Sequence, residues 1–271
     1  MFFRKEEKMD HLLQHFRPDE HEFIEQVLEW KRQVEDFYAP KTTPFLDPRQ
    51  RMIVQSLIGT NGDTQVAFHG GFSDYSERQR ALIYPNYMEP VAEEFQFAML
   101  SVRYPSKFVQ LKHPDVLGAL LSLGLERAKF GDIRVGTDIV QFVVAREVAD
   151  YVRANLTSIA KSKVTVQEVD PSTTLLPAME EWQESVITAS SLRLDTVIAS
   201  SYPAISRQKA ALYIESGKVK VNYAVREQTS FELHEADLIS IRGVGRLFIE
   251  SIEGRTKKEK LRLKIGKMER K

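Results

Sequence analysis

The residues best placed to do chemistry in this chain are cationic, and the chemistry is phosphate binding. Ser206 follows Pro203 and precedes a helical run, so its hydroxyl is expected to cap the free N–H groups of the first turn. Arg207 and Lys209 crowd that helix start, where the macrodipole already favours an anion. Gly217 stands where the helix must stop, in the left-handed conformation that glycine tolerates. Lys218-Val219-Lys220-Val221-Asn222 then alternates as a strand does, which puts Lys218 and Lys220 on one face. Arg193 lies upstream in Ser190-Ser191-Leu192-Arg193-Leu194-Asp195, read as a short amphipathic helix. Arg193, Arg207, Lys209, Lys218 and Lys220 are therefore expected to converge on one basic surface. Tyr223 offers an aromatic ring beside them, and Arg242, Arg246, Lys257 and Lys258 extend the set of expected phosphate contacts. A plainer reading is that Arg193 only pairs with Asp195 and Ser206 only caps; both readings can hold together.

Other chemistries find little support. The chain has no cysteine, which excludes a thiolate nucleophile, a disulfide framework and a cysteine-ligated zinc site. Its six histidines show no pairing with a serine nucleophile. His11 and His15 are four apart, with Asp10 and Glu22 nearby, but a closed metal site needs more converging ligands. That helix reads as a solvated face. Gly70-Gly71 opens a loop reaching Arg78 and Arg80, without the Gly-Lys-Ser/Thr ending of a phosphate loop, so a turn is expected. No catalytic residue, metal or cofactor is expected.

Composition bounds the elements that must position these residues. With 271 residues, 42% hydrophobic and 28% charged, the chain reads as two or three globular domains. Formal net charge is zero, but residues 182–271 hold 17 Lys+Arg and 11 Asp+Glu, a net of 17 − 11 = +6. The remainder carries −6, so the basic end is expected to meet a polyanion. The start has no apolar run of signal-peptide length, and no segment reaches the length of a membrane span. A cytoplasmic monomer without membrane contact is expected.

In chain order, residues 1–62 read as helical, with Phe23, Val27 and Trp30 at helical spacing and Pro40, Pro44 and Pro48 as breaks. From 63 to 169 a strand at Gln65–His69 is followed by a β-α-β-β-α-β order: Phe95–Tyr104, His113–Leu123, Ile133–Val135, Ile139–Val144, Glu147–Ile159 and Lys163–Val169. That order is ferredoxin-like, as in RNA-recognition motifs. Their Arg/Lys-Gly-aromatic signature is absent, since Lys129-Phe130-Gly131 has the order wrong. Phe95 and Phe97 share one strand face, where such a pair either stacks bases or, more often, fills a core. Residues 170–181 read as a linker and 182–271 as the last domain. Lys260-Leu261-Arg262-Leu263-Lys264-Ile265 reads either as a lysine-guarded edge strand or as a basic ribbon. Residues 255–271 hold 9 basic and 2 acidic residues, which favours phosphate contact.

The last domain resembles the alpha-L motif, the small RNA-binding domain of ribosomal small-subunit protein four. The resemblance rests on Arg193-Leu194-Asp195, Ser206-Arg207, Ala210, Gly217, Val219, Val221-Asn222, Asp237 and Arg242-Gly243. Asn222-Tyr223 replaces the usual Asn-Gly and Ala236-Asp237 the usual Gly-Asp. The whole layout is similar to the bacterial YlmH family, through Gly70-Gly71-Phe72, Leu82-Ile83-Tyr84-Pro85, Arg103-Tyr104-Pro105-Ser106-Lys107-Phe108, Leu117-Gly118-Ala119-Leu120-Leu121 and Gly131-Asp132-Ile133. The resemblance implies an α+β chain with a helical start, a middle domain like an RNA-recognition motif and a terminal alpha-L domain. It also implies binding to ribosomal RNA and transfer RNA on the large ribosomal subunit, in ribosome-associated quality control by alanine tailing. Two other functions stay open: an RNA-modifying enzyme (pseudouridine synthase or methyltransferase), and a cell-division adapter holding a protein on the acidic half.

Overall fold

The structure is a computed structural model and describes residues 13–14, 16–59, 62–72, 76–170, 176 and 182–269. It divides into two units, Met1–Ala178 and Met179–Lys271.

The first unit begins with α1 (His21–Phe37), which buries Ile24, Val27, Trp30 and Val34, one residue per turn. β1 (Lys41–Leu46) follows, where the sequence reading placed a proline break. Pro44 is tolerated because β1 is an edge strand and its register with β3 shifts between Thr42 and Phe45. The bonds displaced there are made by side chains. The Ala81 N–H donates to Thr43 Oγ1 (2.9 Å) and Arg80 Nε donates to Thr43 O (2.6 Å). α2 (Pro48–Ile58) starts on a reciprocal cap: Gln50 N–H donates to Asp47 Oδ1 (2.9 Å), and Asp47 N–H to Gln50 Oε1 (3.0 Å). β2 (Thr64–His69) and β3 (Gln79–Pro85) complete an antiparallel sheet of order β1-β3-β2. The strand expected near 65–69 therefore pairs with N-terminal strands, and the start of the chain is helix and sheet.

β4 (Phe97–Arg103), α3 (His113–Leu121), β5 (Phe130–Val135), β6 (Val140–Ala145), α4 (Arg146–Asn155) and β9 (Thr165–Glu168) realise the β-α-β-β-α-β order. Their sheet runs β5-β6-β4-β9, all antiparallel. A small hairpin, β7 (Ser158–Ile159) and β8 (Ser162–Lys163), takes the place of the last turns expected for α4. One sheet face carries Leu100, Phe130, Phe142 and Val144 against the helices. The other face, which RNA-recognition motifs use for stacking, is also buried. Met99, Val143 and Ala145 pack there against Phe45 and Phe72. Gly131 permits this approach, because a Cβ there would lie 2.8 Å from the Phe45 ring. Phe95 sits on a 3-10 turn rather than on β4, and it is buried with Leu82 and Tyr84. Phe97 packs against it across His69. This pair fills a core.

The second unit is one antiparallel sheet with two helices on one face. Its strands are β10 (Gln183–Ala189), β11 (Val219–Val221), β12 (Ala224–Val225), β13 (Leu238–Ile241), β14 (Gly245–Arg255) and β15 (Leu261–Glu269), in the order β10-β15-β14-β13-β11-β12. α5 (Leu194–Ser201) and α6 (Arg207–Glu215) bury Leu194, Ile198, Ala210 and Ile214 against Val219, Ile239, Leu247 and Leu263. Residues 190–193, read as helix, instead lead into it, with Arg193 as the N-cap of α5.

Candidate nucleic-acid interface

Asp195 organises the helical layer. It lies in the first turn of α5 and is 4% exposed, yet it meets two arginines. Arg193 donates Nε to Oδ1 (3.1 Å) and Nη2 to Oδ2 (3.0 Å), a bidentate pair. Arg207 donates Nε to the same Oδ2 (3.0 Å), and Thr196 Oγ1 reaches Oδ1 (3.1 Å). Burial raises the Asp195 pKa, but the hydrogen bonds from Arg193, Arg207 and Thr196 outweigh it and hold the carboxyl below its usual value. The arginine side chains remain 38% and 58% exposed. Two guanidinium groups are thus fixed side by side with donors left for solvent or a phosphate.

Ser206 caps α6 through Oγ, which accepts from Lys209 N–H at 3.2 Å. Lys209 itself is exposed and makes no ion pair among the described residues. α6 ends in a glycine cap: Gly217 (φ +66°) donates to Ile214 O (3.0 Å) and Lys218 N–H to Tyr213 O (3.0 Å). Lys218 Nζ then lies 5.7 Å from the Tyr213 ring centre, and Lys218 O accepts from Arg242 N–H at 2.9 Å.

The expected convergence holds only in part. Val219 and Val221 face the helices, so Lys220 between them projects from the opposite sheet face. There it heads a row across the strands, Lys220–Ser240–Arg246–Met268. The Arg246 guanidinium sits 5.7 Å from the Trp182 ring, which packs over Gly266 and Phe248. This aromatic support went unread in the sequence, because Trp182 and Phe248 are far apart along the chain and only strand pairing brings them together. Lys257 and Lys258 are exposed on the β14–β15 hairpin loop.

The alternating run 260–265 is neither an edge strand nor a free ribbon. β15 is paired on both sides, to β10 and β14. Its outward cations are neutralised by neighbouring strands: Lys264 Nζ meets Glu250 (2.6 Å) and Glu184 (3.4 Å), and Arg262 Nε meets Glu253 (2.9 Å).

Tyr223 and Asn222 form the two-residue turn between β11 and β12, both with positive φ (67° and 50°). Ala236 also has positive φ (63°). Asp237, fully buried, ties this corner together: Asn222 Nδ2 donates to its Oδ1 (2.7 Å) and His234 N–H to its Oδ2 (2.8 Å).

Elsewhere, Arg78 and Arg80 are buried and bond backbone carbonyls of Phe45, Thr43 and Gln96, so the Gly70-Gly71 loop is a structural turn. Asp10, His11 and His15 lie outside the described residues. No group of metal-ligating side chains and no helix long and apolar enough to cross a membrane occurs among the described residues.

Comparison with known proteins fits this architecture. The YlmH N-terminal family matches residues 19–88, a putative RNA-binding domain in YlmH matches 90–173, and the S4 domain matches 192–239. The Bacillus subtilis (strain 168) "Ribosome-associated protein quality control protein P2" is 44% identical over 256 residues, covering 94% of this chain and 98% of that one. This chain belongs to the YlmH family. A solved structure, "Cell division protein ylmH from Streptococcus pneumoniae", is 32% identical with a TM-score of 0.50, covering 58% of this chain and 94% of that one. YlmH membership with an S4 domain gives the chain an RNA-binding role and bears out the α+β fold with N-terminal helices and a terminal alpha-L domain.

Proposed function

We propose that this chain is a non-catalytic, cytoplasmic RNA-binding factor of ribosome-associated quality control. It holds ribosomal RNA and transfer RNA on the large ribosomal subunit and so aids alanine tailing of stalled nascent chains. The observation that carries this reading is the Arg193–Asp195–Arg207 cluster inside an S4-type domain. A buried carboxylate that fixes two half-exposed guanidiniums prepays the ordering of a phosphate clamp. The near full-length similarity to a quality-control protein supports the biological setting. The factor works by occupancy: it favours the tRNA-bearing arrangement because it binds that state better than others.

Co-sedimentation tests this. The chain should enrich on large subunits carrying peptidyl-tRNA relative to empty ones, and the bound RNA should be unmodified by mass spectrometry. Equal binding to both subunits removes the selectivity, and a new modified nucleotide makes the chain an enzyme.

A further inference from the structure

The middle domain cannot use its sheet for RNA, because Phe45 and Phe72 cover the stacking face. We propose that it binds an unpaired RNA base instead at the loop 104–112, with Phe108 as the stacking platform. The inference rests on the RNA-binding role above and adds a second site to it.

Phe108 is 88% exposed, the highest value among the exposed large hydrophobic side chains described. It does not dangle. The Phe108 and Val109 N–H groups both donate to Pro105 O (3.0 and 3.2 Å), and Ser106 N–H donates to Tyr104 O (2.8 Å). Tyr104 OH in turn donates to Thr137 O on the β5–β6 turn (3.3 Å). Leu111 anchors the far end of the loop in the core. A bonded turn therefore holds an apolar ring out in water, where it adds nothing to the core.

The charges around it are the second observation. Arg103 closes β4 immediately before the loop, Lys107 precedes Phe108, and Lys112 is the N-cap of α3. Lys161 and Lys163 belong to the β7–β8 hairpin, which leads into Thr165, the register partner of Arg103. All five are exposed, and none makes an ion pair among the described residues. At the other end of the same domain two cations are paired: the half-buried Lys129 with Glu147, and the exposed Arg146 with Glu168. The described carboxylates at this end include Asp115, which accepts from the Lys112 N–H (2.9 Å), and Asp138, which acts on Tyr104.

A projecting ring amid unpaired cations suits a splayed base with its flanking phosphates. A duplex offers no face to such a ring, since its bases are already stacked.

The test uses the full chain carrying Arg193→Ala and Arg207→Ala, so that C-terminal binding is weakened. A 12-nucleotide oligouridylate and a 12-base-pair RNA duplex are the probes. Phe108→Ala should weaken oligouridylate binding about tenfold, with an unchanged melting temperature. Phe108→Tyr should restore it. Lys107→Ala with Lys112→Ala should flatten the dependence of affinity on salt. In Phe108→Trp the introduced indole should lose fluorescence when the oligonucleotide binds. Normal oligouridylate binding by Phe108→Ala, or equal affinity for the duplex, overturns the proposal. So does a Phe108→Ala chain that binds RNA normally but leaves the ribosomal subunit, which marks a protein contact. The quality-control reading fails on a different result, namely no preference for tRNA-bearing subunits.

Discussion

Asp195 shows how one buried charge can serve both folding and binding. Its carboxyl titrates below the value of an unfolded aspartate, about 3.9. The stability it contributes is thus fully present above that pH and lost as the pH falls through its folded pKa. Asp195→Asn removes the charge while keeping the size. The variant should lose about 1 kcal/mol at pH 7, a modest figure because both arginines are partly exposed. Urea melts at pH 7 and pH 3 check this: the gap from the parent should be smaller at the lower pH. Arg207→Ala acts differently. It takes one bond from Asp195 and leaves the bidentate Arg193 in place. Stability should fall by less than about 1 kcal/mol, while RNA affinity drops severalfold. A chain that melts early yet binds RNA normally contradicts the assignment. Arg193 and Ser206 were legible at this scale as motif residues. The Arg207–Asp195 bond was not, because it joins positions whose proximity depends on how α5 and α6 pack.

At the scale of elements, local chemistry was read well and pairing poorly. Ser206 and Gly217 were legible as helix start and stop because capping and positive φ are properties of single residues. The strand at Lys41–Leu46 was missed because Pro44 argues against a strand, and only its edge position and bulge make room for it. The run 260–265 was read either as a guarded edge or as a basic ribbon, and it is neither, because alternation reveals one buried face but not whether neighbours pair on both sides. Turns carry the clearest predictions. Gly217→Val forces a β-branched residue to φ +66° and should destabilise the second unit by about 2 kcal/mol. Ala236→Gly should do the reverse, because Ala236 already pays for φ +63°. Relieving that strain is worth about 1–2 kcal/mol, against about 0.5–1 kcal/mol lost to backbone entropy. A net gain of up to about 1.5 kcal/mol follows, read as a higher melting temperature. A lower one means that the alanine methyl packs usefully.

At the scale of the molecule, the zero net charge conceals a division of labour. Residues 182–271 carry net +6 and have a core of their own, Val197, Ile214, Val219, Ile239, Leu247 and Leu263 among it. That segment should therefore fold alone and bind structured RNA alone. Its affinity should depend steeply on salt, since each neutralised phosphate releases condensed counterions. The structure narrows how steeply. Lys264 and Arg262 already hold glutamates and contribute little. Arg193, Arg207, Lys209 and Lys218 lie with the helical layer and its end, whereas Lys220 and Arg246 face the other way. One RNA helix docking on the clamp meets about four of these cations, so log affinity against log salt should fall with a slope of about −3 to −4. A slope of about −5 to −6 would mean that both faces are engaged at once, as a factor wedged between two RNA elements requires. Lys220→Glu separates the cases, because it leaves a one-faced complex nearly intact and cripples a two-faced one. A flat salt response sinks the electrostatic account altogether, whichever face is used.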